Sequence, residues 1–185
     1  YFFNNYIFLR PSGTFSLLPH SGQLYKYTES EALLSGVELQ VDKELGRWHF
    51  GVAGEYIYNQ QLTSNRSRNY PLPFTPANNV FTEVGYQLFT DSKIFNATEV
   101  SISNRSVMQQ DRIAQGEEIT PGYSLWGVGY HTLLEFDGFK ANINFRIDNL
   151  LNTKYFNHTS FYRRLQIPEM GRNIQLSIKI PFGQS

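Results

Sequence analysis

The sequence predicts an all-β fold: an antiparallel up-and-down meander of about eight long strands, part of a transmembrane β-barrel. Three observations carry that prediction. Apolar and polar residues alternate with period two through most of the 185 residues, the mark of strands with two different faces. The alternating segments run about 9 to 14 residues, whereas soluble strands usually have about 5 to 6, and about 9 to 11 tilted residues cross a bilayer's hydrocarbon. Finally, the connections alternate strictly between short and long, so one end of the sheet carries tight turns and the other long loops.

The elements follow in order. Tyr1 to Arg10 forms the first strand. Leu33, Val37, Leu39 and Val41 then alternate with Gly36, Glu38, Gln40 and Asp42, and Trp48, Phe50, Val52, Tyr56 and Tyr58 with His49, Gly51, Ala53, Glu55 and Asn59. Val80, Val84, Tyr86 and Leu88 oppose Asn79, Glu83 and Gln87, with Phe81 and Phe89 interrupting the polar face. The stretch Phe95 to Met108 alternates least well, because Val100 and Ile102 fall out of phase with Val107. Trp126, Val128, Tyr130, Leu134 and Phe136 alternate with Gly127, Gly129, His131 and Glu135. The cleanest strand is Phe139 to Asp148, with Phe139, Ala141, Ile143, Phe145 and Ile147 on one face and Lys140, Asn142, Asn144, Arg146 and Asp148 on the other. The last sets Ile174, Leu176, Ile178, Ile180 and Phe182 against Asn173, Gln175, Ser177 and Lys179. Lys43 to Arg47, Thr90 to Ile94 and the hairpin dipeptide Asp137-Gly138 are the tight links. Pro11 to Leu24, Gln60 to Asn78, Gln109 to Pro121 and Asn149 to Arg172 are the long ones.

Alternation alone leaves open which face is inside. A soluble β-sandwich or barrel would bury the apolar face and could hold a hydrophobic ligand. Composition argues the other way. Charged residues are 17%, against roughly 25% in soluble domains, so the polar face is mostly Asn, Gln, Ser, Thr and Gly. Aromatics reach 16% and gather near strand ends, at Trp48, Tyr56, Tyr58, Tyr123, Trp126 and Tyr155, as at the two headgroup layers of a membrane. Zero net charge argues against nucleic acid as a partner. The lack of Cys excludes disulfides, thiol nucleophiles and Cys-zinc sites, and no apolar run is long enough for a membrane helix. Opening on Tyr1-Phe2-Phe3-Asn4-Asn5, the chain reads as a piece of a longer polypeptide.

The last third carries a recognisable signature. Asp148-Asn149-Leu150-Leu151-Asn152-Thr153-Lys154-Tyr155-Phe156-Asn157-His158 is followed by Pro168-Glu169-Met170-Gly171-Arg172-Asn173 and an alternating strand to Phe182. This resembles the C-terminal signature of TonB-dependent outer-membrane receptors, in which an N-L-F-N/D-x-x-Y box ends the penultimate strand and P-x-x-G-R-N leads into the final one. Tyr6 to Pro11, Ala32 to Glu38 and Pro71 to Pro76 are similar to upstream landmarks of that family, in order. The resemblance implies a barrel of about 22 strands closed by a plug. Residues 1–182 would be its C-terminal segment and 183–185 a short tail. It further implies a bacterial outer-membrane location and energy-coupled uptake of a large scarce nutrient, such as a ferric siderophore, haem or cobalamin. The expected partners are membrane lipid, the plug and remaining strands of the same chain, and the TonB-type energy-coupling complex. No resident cofactor and no catalysis are expected. A stand-alone eight-stranded outer-membrane barrel, structural or adhesive, is the main alternative within the membrane class.

Individual residues point to loop architecture first. Asn149 and Asn152 suit turns in which the side chain bonds nearby backbone. Gly171 is expected at a positive φ, and Arg172 offers a planar donor fork to loop carbonyls or a carboxylate. Arg172 and His158 are expected to anchor loops. His20, His49, His131 and His158 lack a metal-ligand spacing, and Ser12-Gly13 and Ser35-Gly36 lack the glycines of a nucleophile elbow. Gly127 and Gly129 are expected to relieve crowding on the inner face. Glu38, Glu55 and Arg146 would line a lumen or contact the plug, while Glu117-Glu118 would sit solvated in a loop. Ligand contact, if made by this chain, would come from long-loop aromatics and cations: His20, Tyr25, Arg66, Arg68, Tyr70, Tyr123, His158, Tyr162, Arg163 and Arg164.

Overall fold

The computed structural model describes residues 1–15, 23–63, 69–89 and 92–181. His20, Arg66, Arg68, Phe182 and the tail 183–185 lie outside the described residues. Eight strands form one antiparallel sheet: β1 (Phe2–Phe15), β2 (Gln23–Leu45), β3 (Trp48–Leu62), β4 (Asn79–Phe89), β5 (Phe95–Val107), β6 (Tyr123–Phe136), β7 (Phe139–Asp148) and β8 (Asn173–Lys179). Each strand pairs with its sequence neighbour, in the order β1 to β8. The predicted meander is what the chain forms. It stays open, with β1 and β8 as the two edges rather than partners of each other.

Register shows how the period-two pattern becomes two surfaces. Val37, Leu39 and Val41 pair with Tyr56, Gly54 and Val52, so apolar residues of β2 and β3 share a face. That face continues through Val84, Ile102, Trp126 and Tyr130 to Ile174, Leu176 and Ile178. It is uncovered: Val37, Leu39 and Val41 are 67%, 60% and 52% exposed, and Leu176 is 65%. The soluble alternative would bury this face; the open sheet leaves it exposed, as it does Glu38, Gln40 and Asp42 on the polar face. The buried apolar cluster is small, consisting of Phe8, Ala32 and Leu72 with Tyr6 and Leu34 packed beside it.

The polar face is smooth because it is built from small residues. A Cβ on Gly127 or Gly129 would come within 2.7 and 2.6 Å of Ser103 Oγ and Ser101 Oγ, so the expected relief of crowding is real. Phe81 does fall on this face, and the Arg105 guanidinium covers it at 5.4 Å from the ring centroid. Val107, the out-of-phase residue of β5, pairs with Tyr123 at the loop end of the sheet and lines a recess under the loops.

Turns follow their chemistry. Asp137 and Gly138 take φ of 46° and 79°, the two positive values that a type I′ hairpin needs, and Lys140 pairs with Glu135 across the turn. The expected link Lys43 to Arg47 shrinks to Gly46-Arg47 because β2 runs on to Leu45. Two other limits need correction. Pro11 pairs with Tyr25 and Phe15 with Gln23, so much of the expected first loop is strand. Proline is tolerated there because the ladder shifts register directly after it, between Pro11 and Phe15. Likewise β3 continues to Leu62. With 23 residues, β2 is about twice as long as a tilted membrane crossing requires, so the β1–β2 hairpin projects beyond β3 at the long-loop end.

If the apolar face meets lipid, Leu39→Arg should lower unfolding stability by about 2–4 kcal/mol in vesicles. Gln40→Arg, one residue away on the polar face, should change it by less than about 0.5 kcal/mol. Denaturant titration of the full-length protein in lipid checks the contrast.

Candidate functional site: the loop cluster

The β7–β8 connection begins with a tightly bonded corner. Asn149 is buried at φ 50°, and its amide accepts from Thr153 N–H at 2.8 Å while donating to the Thr153 carbonyl at 2.9 Å. Asn152 takes φ 53°, and its Oδ1 accepts from the Arg172 N–H at 2.9 Å, so start and end of this 24-residue link are tied. Asparagine adopts such left-handed positions more readily than other residues with a Cβ. Arg172 Nε donates to the Leu150 carbonyl at 2.8 Å, and Leu150 N–H donates to Trp126 O at 2.7 Å, anchoring the corner to β6. Gly171 differs from expectation: its φ is not positive. Glycine is needed for room, since a Cβ there would lie 2.6 Å from Asn152 Oδ1. Tyr155 packs its ring against Tyr123 at 4.4 Å, Pro168 is exposed, and Asn173 opens β8 opposite Asp148.

Beyond the corner, three long connections meet, covering residues 69–78, 108–122 and 149–172. Glu117 stands at the junction. Its Oε1 accepts from Phe74 N–H at 2.8 Å and its Oε2 from Ala114 N–H at 3.0 Å. His158 Nε2 lies 3.5 Å from Oε2, and His158 Nδ1 is bonded to Thr120 Oγ1 at 2.7 Å. The two side chains are 2% and 1% exposed, so the expectation of a solvated Glu117 is overturned. Burial pushes this carboxyl up, but the imidazole of His158 and the two amides together outweigh it and hold the group below the ordinary carboxylate range.

Supporting contacts bind the same three segments. Gln110 Nε2 donates to the Thr75 and Pro76 carbonyls, at 3.0 and 3.1 Å. Asn59, buried on β3, holds the 69–78 segment through Thr75 Oγ1 and Leu72 N–H. Arg112 donates to the Asn59 carbonyl and stacks over Tyr58 at 3.9 Å. Arg163 sits in the 3₁₀ turn Phe161–Leu165, is buried, and donates to the Glu118 carbonyl at 2.8 Å. Arg164 lies over the rings of Tyr25 and Phe74.

The proposed ligand-contact residues therefore divide. Tyr25 and Tyr123 are strand residues, in β2 and β6 rather than in loops. Arg163 is consumed inside the cluster, and Arg164 is stacked between elements. Tyr70 and Tyr162 remain exposed at the surface. Glu117, Thr120, Gln110, Asn59 and Arg112 hold the cluster together, and no periodicity marks them. Beneath the loops lies a recess of about 390 Å³ whose walls include Arg105, Met108, Tyr123, Tyr155 and His158. Among the described residues, no three His, Asp or Glu side chains converge as a metal site would require. On the polar wall Glu38 stands directly opposite Glu55, whose carboxylate accepts from Asn79 at 3.0 Å.

Gly171→Ala should destabilise the protein by about 1–3 kcal/mol, because the added methyl displaces the Asn152 side chain that also holds Arg172. Asn149→Ala should cost a similar amount, through the left-handed φ and the lost bonds to Thr153. Thermal unfolding of the two variants checks both.

No family model matches this sequence. Among solved structures, the chain is similar in fold to the one named "Copper transporter OprC", with a TM-score of 0.67 at 19% identity. The match covers 85% of this chain and 24% of that one, so this chain spans about a quarter of its neighbour's length. What is established is the architecture: an eight-stranded meander of the kind found within a transporter's much larger chain.

Proposed function

We propose that this chain is a C-terminal wall segment of a TonB-dependent outer-membrane transporter that imports a large, scarce nutrient. The observation that carries the reading is an apolar sheet face left exposed along β2 to β8, on a sheet whose two edges have no partner among the described residues. An exposed apolar band opposite a polar wall fits a barrel in lipid, and unpaired edges fit a barrel completed by further strands. The N-L-L-N-T-K-Y box at Asn149 to Tyr155 and the Pro168 to Asn173 segment support the family resemblance, now as a bonded corner. Fold similarity to a copper transporter adds support for a transport role.

In this reading the segment supplies wall, loops and the closing strand and makes or breaks no bonds. The plug and the TonB contact belong to the rest of the protein. The nutrient is a metal chelate or macrocycle such as a ferric siderophore, haem or cobalamin, and the neighbour's copper joins the cargoes to test. The stand-alone eight-stranded barrel would need β1 paired with β8, and the two lie at opposite edges of the sheet.

The full-length protein should fractionate with the outer membrane. Deleting its gene should abolish accumulation of one of these nutrients, supplied singly, and removing TonB should have the same effect. Recovery in the soluble fraction, or uptake that persists without TonB, would refute the proposal.

A further inference from the structure

We propose that the Glu117–His158 pair is a proton-operated clasp that holds the three long loops together around the recess beneath them. Such a clasp goes beyond the transport reading and does not depend on TonB coupling.

Glu117 touches all three segments, and the buried His158 Nε2 beside it has no hydrogen-bond partner among the described residues. The carboxylate takes an N–H from Phe74 in 69–78 and one from Ala114 in its own segment, and it faces His158 in 149–172. His158 and Thr120 also line the recess, so the clasp forms part of its wall. An ionised carboxylate is acceptor-only, which is what the two converging N–H groups require, and it also suits an imidazole that carries its proton on Nε2. Adding a proton turns one oxygen into a donor. That oxygen then meets a donor, in a site too buried for water to replace the lost bond.

The charged neighbours do not offer a substitute. From 149–172, Arg163 donates through Nη1 to the Glu118 carbonyl while its buried Nε has no hydrogen-bond partner among the described residues, and Arg164 lies over the Tyr25 and Phe74 rings. In Glu117's own segment, Arg112 is committed to Asn59 and Tyr58, while Asp111 and Glu118 are exposed. The 69–78 segment brings no charged side chain, and its titratable group is the exposed Tyr70. From β1, Arg10 donates to Gln115 Oε1 at 2.6 Å. A cationic His158 would attract the carboxylate more strongly, so release depends on protonating Glu117 itself.

The sign follows from the depressed carboxyl. Stability from the clasp is fully present above the unfolded-state value and is lost as pH falls through the lower folded-state value. The test uses the full-length protein in lipid, spin-labelled at the exposed positions Ile119→Cys and Tyr162→Cys, one on each side of the junction. Inter-label distances are measured from about pH 7.5 to about pH 3.5, across the carboxylate range. The wild-type distribution should be narrow at the upper end and broaden in one transition with a midpoint below about 4.3. Glu117→Gln should be broad and insensitive to pH throughout, because its amide nitrogen presents donors to the Ala114 N–H. His158→Gln keeps both amide bonds to Glu117, so it should be looser from the start yet retain the transition. A wild-type distribution that stays narrow, or a transition that survives in Glu117→Gln, would overturn the clasp.

Discussion

The whole structure depends on the cost of leaving a long apolar sheet face in water. Burial is worth about 25 cal/mol per Å² of apolar surface, and soluble proteins obtain it by folding that surface inward. Here the outward face of β2 to β8 is uncovered, and the buried apolar cluster is confined to Phe8, Ala32 and Leu72 with their neighbours. The sheet thus derives its cohesion from ladder hydrogen bonds between sequential strands, with side-chain burial left to its surroundings. In the proposed setting, lipid covers one face and the remaining strands satisfy the edges. Both requirements arise from the same constraint, that unpaired backbone and unshielded apolar surface cannot persist in their present environment.

Against this thin wall, the loop end is organised like a small domain. Its order comes from polar groups bonded out of water rather than from an apolar core. Asn59, Thr75, Gln110, Glu117, Thr120, His158 and Arg163 are drawn from β3 and three connections, and most are nearly inaccessible. Such networks are worth most when every member is satisfied, which makes them sensitive to the loss of any one. The β7–β8 corner adds rigidity, since Asn149, Asn152 and Arg172 tie both ends of the longest link to the sheet. A wall that holds its loops this firmly can present a shaped recess to the outside.

Much of the fold was legible in the sequence because a two-faced strand writes its geometry at every second residue. The cleanest pattern, Phe139 to Asp148, coincides with β7 to the residue. Where side chains alternate poorly, legibility failed for identifiable reasons. Val107 belongs to the recess and not to the wall, and Phe81 is covered by Arg105 rather than by a like face. Pro11 suggested a loop because it lacks an N–H, but it sits where the β1–β2 ladder shifts register, between Pro11 and Phe15. For the loop cluster, Glu117 next to Glu118 looked like ordinary solvated charge. Only one of the two is turned inward, and nothing in their local sequence distinguishes them.

Alternation, turn dipeptides and loop lengths determined by themselves that this is an antiparallel meander with unlike faces and unlike ends, since each is a local consequence of backbone geometry. The roles of Asn149, Asn152 and Arg172 were within reach for the same reason: their partners lie within one connection. What only the tertiary structure decided is that the sheet stays open and that Glu117 meets His158 and Phe74. Those depend on segments more than 40 residues apart along the chain. Such contacts are set by how neighbouring strands bring their loops together, and no window of sequence contains them.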